Sequence, residues 1–359
     1  MLTGRPSGIS VPVPWGSWLG LARTLLATAT AATLVFSDAD TLFTPILGRG
    51  AGPHCAGPAG IGAFCLAGPE HADLVRWACV AVLLVVASGW RPRFTALPHW
   101  WIAFSVSTSV SIPDGGEQVN QVITLLLVPV LLADPRRWHW LPPPSPDRVV
   151  RAPDGRAPRG EDTDGRDGNG RRDVVGGRGA VLVALAVVLL VAIRIQVAGI
   201  YFQASVAKFS KAEWADGTVM YYWLNHHSFG APDWLQPVTD ALVDRPVSLA
   251  LLTWTPLFVE FSLAVSLLLR PAVRWWLLPF GVLLHVGIAV LMGLWSFSLT
   301  MIAAQLLLLV PMGTHLPDTW RTVRKLVDRR RVRGGGGNAA GDAVEPPPPV
   351  RVAVPAGRA

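Results

Sequence analysis

The chain has 359 residues, of which 51% are hydrophobic and 15% are charged, and its formal net charge is +7. This composition excludes an ordinary soluble domain, since the apolar residues collect in runs long enough to cross about 30 Å of hydrocarbon. The sequence predicts an all-α, polytopic membrane helix bundle with about eight transmembrane helices. The predicted spans are 18–36, 72–90, 97–112, 118–133, 180–202, 247–269, 275–294 and 296–312.

The distribution of arginine predicts the orientation of these spans. If both termini are cytoplasmic, the ten arginines of the 134–178 loop and those of the tail from Arg321 onward lie on the same side. This asymmetry is typical of cytoplasmic loops. The topology also accounts for the positive net charge, so no nucleic-acid partner is expected.

The first external loop, 37–71, contains two cysteines. Cys55 and Cys65 are separated by nine residues rich in Gly, Pro and Ala. Because an oxidising exterior permits disulfides, we expect a bridge between them. Cys79 lies in the second span and is expected to be a small buried apolar residue.

Two polar segments divide the chain. Residues 1–140 are predicted to form the first half of the membrane domain, with four spans, and residues 179–312 the second half, with the other four. The segment 141–178 begins with a proline cluster and then alternates Arg with Asp, Glu and Gly, a composition that cannot bury a core, so we expect a disordered cytoplasmic linker between two bundles. Residues 313–359 are expected to be a basic, Gly- and Pro-rich cytoplasmic tail.

Several polar residues lie within the predicted spans. Charges in hydrocarbon normally face the bundle interior and find partners. From their depths, estimated at 1.5 Å per residue, we expect Arg194 to pair with Glu260, either for function or to lock helices together. His285 is expected to form a hydrogen bond with another helix. No His, Cys, Asp and Glu cluster has the spacing of metal ligands, so no metal site is predicted.

The segment 201–223 holds two of the three lysines and all three tyrosines. If the fifth span continues as a helix, Tyr201, either Ala204 or Ser205, Lys208 and Lys211 share one face. Two amines on one face repel each other, which favours a neutral amine that can act as a base. The alternative is a pair of interfacial lysines in an aromatic belt.

Two groups of carboxylates are candidate partners for these lysines. Glu213 and Asp216 are close to them in sequence. Asp114 and Glu117, in a tight turn between the third and fourth spans, lie on the same predicted side of the membrane and could cap a cavity opposite the lysines. As a bare turn, this segment needs no function.

One motif resembles a known family. Tyr201-Phe202-x-Ala204-Ser205-x-x-Lys208, followed by Trp214 and Gly217, is similar to the signature of the HTTM domain, the membrane domain of vitamin K-dependent γ-carboxylase and its bacterial relatives, although Ser205 replaces a glycine. Arg23, Glu260 and His285 also fit this pattern. Asp114-Gly-Gly-Glu-Gln, Asp134-Pro-Arg-Arg-Trp-His-Trp and Trp214-Ala-Asp-Gly-Thr-Val-Met-Tyr-Tyr-Trp resemble the sporulation-delaying protein B (SdpB) family.

The resemblance implies two functions. From the carboxylase, Lys208 would be a candidate base, with Lys211, Tyr201, Glu260 and His285 around it, acting on a lipid-soluble quinone; the carboxylase's large lumenal domain has no counterpart here, so full carboxylation is not expected. From the SdpB family, the chain would assist maturation or export of a secreted antimicrobial peptide in a bacterial plasma membrane. Its partners would be the peptide precursor and a small accessory protein. A non-catalytic membrane scaffold is the third interpretation.

Overall fold

The computed structural model describes residues 13–46, 48, 50–142, 177–226 and 230–316, and the longer elements of secondary structure in these ranges are helices. An isolated bridge joins Trp90 and Trp138. Eight long helices coincide with the eight predicted spans. We number them α1 Ser17–Phe36, α2 Ala72–Ser88, α3 Pro92–Ser109, α4 Gly115–Leu132, α5 Gly177–Phe209, α6 Pro246–Ala264, α7 Pro271–Met292 and α8 Trp295–Leu309.

Six of these helices are long and apolar enough to cross a membrane: α1, α2, α4, α5, α6 and α7. Helix α8 has only 15 residues, but it packs against α1, α4, α5 and α7 and is mostly buried. Helix α3 carries buried polar side chains, among them Thr95, His99 and Ser105. A short or polar helix is tolerated at membrane depth where protein shields it. The protein is therefore a polytopic helical membrane protein, as predicted.

The two halves of the chain share one core. The largest buried cluster joins residues of α1, α4, α5 and α8, and α1 packs directly against α8. A second cluster lies between α1, α2, α3 and the first external loop. The predicted pair of separate four-helix bundles is therefore wrong. Most of the predicted linker, 143–176, and the tail beyond 316 lie outside the described residues.

Local sequence explains the ends of several helices. Asp114 caps α4 by accepting from the backbone N–H of Glu117 at 2.8 Å, and the Glu117 carboxylate accepts from the Asp114 N–H, which together form a capping box. Proline occupies the first turn of α3, α6 and α7, where its missing N–H costs nothing. Glu117 and Asp114 therefore serve the start of α4, and within the described residues neither carboxylate forms an ion pair with Lys208 or Lys211.

Residues 54–63 of the predicted first external loop pack over the end of α3. Cys55 and Cys65 form a disulfide, and Cys79 is buried with a free thiol. The loop is anchored by the His54 N–H, which donates to the Ser109 carbonyl at 2.9 Å, and by the Ala63 N–H, which donates to the Ser105 hydroxyl at 2.9 Å. These hydrogen bonds order a segment whose composition alone predicts a loose loop.

Candidate functional site

Lys208 and Glu260 form an ion pair between α5 and α6. Helix α5 runs to Phe209, so Lys208 stands in its last turn, where Nζ donates to both carboxylate oxygens of Glu260. The Glu260 side chain is 10% exposed and that of Lys208 is 25% exposed. The carboxylate is thus largely enclosed in the bundle, whereas a quarter of the lysine side chain is exposed.

Trp214 lies over the lysine. Its ring centroid is 5.1 Å from Lys208 Nζ, within the range of a cation–π contact. The ring is held in place because the Trp214 carbonyl accepts from Trp254 Nε1 of α6 at 3.1 Å. The ammonium group is therefore placed between a carboxylate and an aromatic face.

Residues 210–226 and 230–245 form an outer layer that contains the short helices Ala212–Ala215, Val219–Leu224 and Gln236–Val243. Its small apolar core packs against the first half of α6. Gly217 adopts a positive φ of 84°, and its carbonyl accepts from Thr253 of α6 at 2.9 Å. Glu260 follows the first residue of α6 by 14 positions, about 21 Å along the axis, so the ion pair lies below this outer layer.

Lys211 does not share the face of Lys208. The helix ends at Phe209, and Lys211 precedes the helix Ala212–Ala215, with its side chain exposed. The expectation of two neighbouring amines on one helical face is therefore wrong. Its physical reason is the break in the helix after Phe209, which turns the chain away before Lys211. The Asp216 carboxylate also has another partner, since it accepts from Thr218.

Arg194 does not pair with Glu260, which corrects the predicted intramembrane pair. Its Nε donates to the Leu307 carbonyl at 3.1 Å, and Nη2 donates to the Val310 carbonyl. The last carbonyls of a helix have no partner within the helix and carry a partial negative charge, which a guanidinium satisfies well. Arg194 is 14 residues from Lys208 along α5, or about 21 Å along the helix axis, so the two cations lie at different depths in the bundle.

A second polar group lies two helical turns before Lys208. Tyr201 is 1% exposed, and its hydroxyl accepts from Gln305 Nε2 of α8 at 3.0 Å. The same amide nitrogen is 2.9 Å from His285 Nδ1 of α7, and that imidazole nitrogen is also 2.9 Å from the Gly281 carbonyl. Because Nδ1 carries either a proton or a lone pair, it serves one of these contacts at a time. The expected hydrogen bond of His285 to another helix forms when Nδ1 carries the lone pair and accepts from Gln305.

Gln305 is the residue that connects this group. Its side chain is fully buried, and a Cβ at Gly281 would lie 2.7 Å from its amide oxygen, so glycine at 281 makes room for it. The sequence marks Gln305 only as a polar residue inside an apolar run. Its role in linking Tyr201 and His285 depends on the packing of α5, α7 and α8, which no local pattern reports.

The structure also limits what could bind at the site. Within the described ranges, no group of three or more His, Cys, Asp and Glu side chains is placed to hold a metal ion. An apolar cavity of about 400 Å³ lies between α2, α3 and residues 63–67, lined by side chains such as Leu66, Cys79 and Trp101. None of the residues around Lys208 lines it.

Comparisons with known proteins place the chain in a family. The HTTM domain model matches residues 182–312. The uncharacterized protein YitO of Bacillus subtilis (strain 168) is 32% identical over 325 residues, covering 90% of this chain and 94% of YitO. Sporulation-delaying protein SdpB of the same organism is 29% identical over 310 residues, covering 86% of this chain and 85% of SdpB.

No solved structure matches the chain. The relatives extend across both halves of the bundle, and the HTTM match contains Lys208, Glu260, His285 and Gln305. The chain therefore belongs to the HTTM family of membrane proteins, in the group that includes YitO and SdpB.

Proposed function

We propose that this protein assists the maturation or export of a secreted antimicrobial peptide at the outer face of a bacterial plasma membrane. The observation that carries the proposal is the similarity to SdpB over 86% of the chain, a relative whose name assigns it to sporulation delay. The peptide precursor and a small accessory protein would be its partners.

The geometry supports a working site at the Lys208 and Glu260 pair. The pair combines a partly open ammonium group, an enclosed carboxylate and the Trp214 ring, which together can hold a peptide carbonyl or carboxylate and exchange a proton with it. The outer layer above the pair exposes aromatic side chains, among them Tyr221, Tyr222 and Trp234, that suit contact with a peptide.

The test is genetic and chemical. We expect a small secreted precursor with paired cysteines to be encoded beside this chain. Deleting the gene for this chain should abolish the mature peptide in the culture medium, measured by mass spectrometry, while the precursor stays in the cells. A deletion strain that releases mature peptide at the parental level would reject the proposal.

The second candidate is a quinone-dependent membrane enzyme in which Lys208 acts as the base. The direct contact of Lys208 with Glu260 favours it, because the carboxylate can receive the lysine's proton and leave a neutral amine. Lys208, Glu260 and Trp214 are the residues that would hold a quinol. The bound quinol would supply an oxidisable hydroxyl, and these residues would orient it and accept its proton.

This second candidate has its own experiment. The purified protein should bind a lipid-soluble hydroquinone, measured by quenching of its tryptophan fluorescence, and Lys208→Met should lose that property while Lys211→Met keeps it. Equal behaviour of the two variants, or no binding by the unmodified protein, would leave only the peptide and scaffold interpretations. In a scaffold, the ion pair would do no more than join α5 to α6.

A further inference from the structure

A buried basic cluster lies where α1 and α3 begin. Arg23 of α1 is completely buried, and His99 of α3 and His139, which follows α4, are each 1% exposed. Arg23 Nη2 donates to Thr95 Oγ1 at 2.7 Å, and Thr95 precedes His99 by one turn on the same face. His139 Nε2 is 3.3 Å from Oγ1 of Thr24, the neighbour of Arg23. Both imidazoles are close enough to Arg23 to interact with it electrostatically.

The segment 134–141 packs against this cluster and against the end of α2. The His139 N–H donates to the Gly89 carbonyl at 3.0 Å, and Trp140 Nε1 donates to the carbonyl of the preceding residue, Ser88, at 2.9 Å. A Cβ at Gly20 would lie 2.8 Å from the His139 ring, so glycine there lets the imidazole reach the space beside Arg23. The function proposed above does not use this segment, although it carries one of the family-like motifs.

The cluster holds an excess positive charge. Asp134 is the carboxylate that interacts electrostatically with Arg23, but both of its oxygens accept hydrogen bonds from Arg136, at 2.8 to 3.1 Å. Arg23 makes no ion pair in the part of the chain that the structure describes. Two buried guanidinium groups thus face one carboxylate. A buried ion without a counter-charge costs several kcal/mol, so an anion would be strongly stabilising here.

Four nitrogens of the cluster have no hydrogen-bond partner among the described residues. They are Nε and Nη1 of Arg23, Nε2 of His99 and Nδ1 of His139. Guanidinium nitrogens can only donate, and each imidazole nitrogen can donate in one of its two tautomers. From these groups we infer that Arg23, His99 and His139 bind one small monovalent anion of the size of chloride.

The surroundings of His139 permit the required tautomer. With the proton on Nδ1, this nitrogen donates to the anion, and Nε2 accepts. In the structure, Thr24 Oγ1 donates to the Ala87 carbonyl at 2.8 Å and lies 3.3 Å from His139 Nε2. When the hydroxyl rotates, it can donate to Nε2 instead. The four nitrogens are closed off from solvent, which suits a single-atom ion better than a phosphate group on a lipid.

The experiment measures the unfolding temperature of the full-length protein in lipid nanodiscs through its tryptophan fluorescence. Chloride replaces gluconate stepwise at constant ionic strength and pH. We expect a saturable rise of about 2–4 °C, since a ligand that binds the folded state stabilises it by mass action. Bromide should act like chloride. Arg23→Gln should abolish the rise.

Arg76→Gln is the matched control. Arg76 is also a buried arginine of the membrane domain, but its guanidinium is bonded to Asp73 and to the Leu34 carbonyl, so its loss should leave the chloride effect intact. If Arg23→Gln does not fold, His99→Leu serves in its place and should weaken the apparent chloride affinity at least tenfold. An unfolding temperature that does not depend on chloride, or a dependence unchanged in these variants, would overturn the inference.

Discussion

Lys208 of α5 and Glu260 of α6 face each other inside the helix bundle, with the ammonium nitrogen against both carboxylate oxygens. The pair joins α5 and α6, which pack directly against each other. In the sequence, residues 210–245 lie between the two helices. It is also the place where the enclosed core and a partly open surface meet, because the lysine is more exposed than the carboxylate. Both stability and function should therefore respond to changes here.

Breaking the pair on one side should destabilise the fold. Glu260→Met leaves a partly buried ammonium group unpaired, so the free energy of unfolding should fall. We expect a fall of about 3 kcal/mol, at the low end of the range for a broken buried pair, because the Lys208 side chain is partly exposed. The double variant Lys208→Met/Glu260→Met should recover most of that loss. A double-mutant cycle of unfolding free energies measures the coupling, and a coupling near zero would mean that the two groups do not interact.

The hydroxyl of Tyr201 should make a small, local contribution. Tyr201→Phe removes the hydrogen bond to Gln305 and keeps the ring, so we expect a loss of about 1 kcal/mol in the free energy of unfolding. Tyr222→Phe is the matched control, since Tyr222 is 59% exposed, and should cost close to nothing. Equal effects of the two substitutions would contradict the buried link between α5 and α8.

Acidification should weaken the fold through His139. Burial, with smaller contributions from Arg23 and Arg136, lowers the pKa of His139 to about 3 from its ordinary value of 6.5. Below pH 6.5 the unfolded chain binds a proton there that the folded protein does not, so the stability from this group falls as the pH falls from about 6.5 toward 3. Unfolding free energies measured at several pH values without chloride should show a shallower decline in His139→Gln; identical slopes would contradict this account.

The first external loop should be protected from thiol reagents by its disulfide. In intact cells carrying Cys79→Ser, a membrane-impermeant maleimide should label Cys55 and Cys65 only after reduction. Cys55→Ser should expose Cys65 to labelling without reductant. Equal labelling with and without reductant would exclude the bridge. Labelling that requires broken cells would place the loop on the cytoplasmic side and reverse the predicted orientation.

The helices themselves were predictable because hydrocarbon imposes a length and an apolar composition on every span. All eight apolar runs are helices, with ends that differ by a few residues. The largest difference is at α5, which continues seven residues past the predicted end at 202, since Ser205 is buried and Lys208 finds a carboxylate in α6.

The partners of the polar groups were less predictable. Depth alone predicts that Arg194 pairs with Glu260. It takes no account of the unpaired C-terminal carbonyls of α8, to which Arg194 donates, or of the full length of α5. Lys208 was singled out by its motif, but its partner was not. Tyr201, His285 and Gln305 lie on α5, α7 and α8. They meet only because these three helices pack together, which no local sequence pattern predicts.

The most direct test of a functional role for Lys208 uses the double variant Lys208→Met/Glu260→Met, compared with Lys211→Met at matched levels in the membrane. The measured quantity is the mature peptide released into the medium. We expect the double variant to fold but to release roughly 100-fold less peptide, as expected for the loss of a proton-transfer group, and Lys211→Met to behave like the unmodified protein. Full peptide release by the stable double variant would contradict the account and leave the pair as a structural link between α5 and α6.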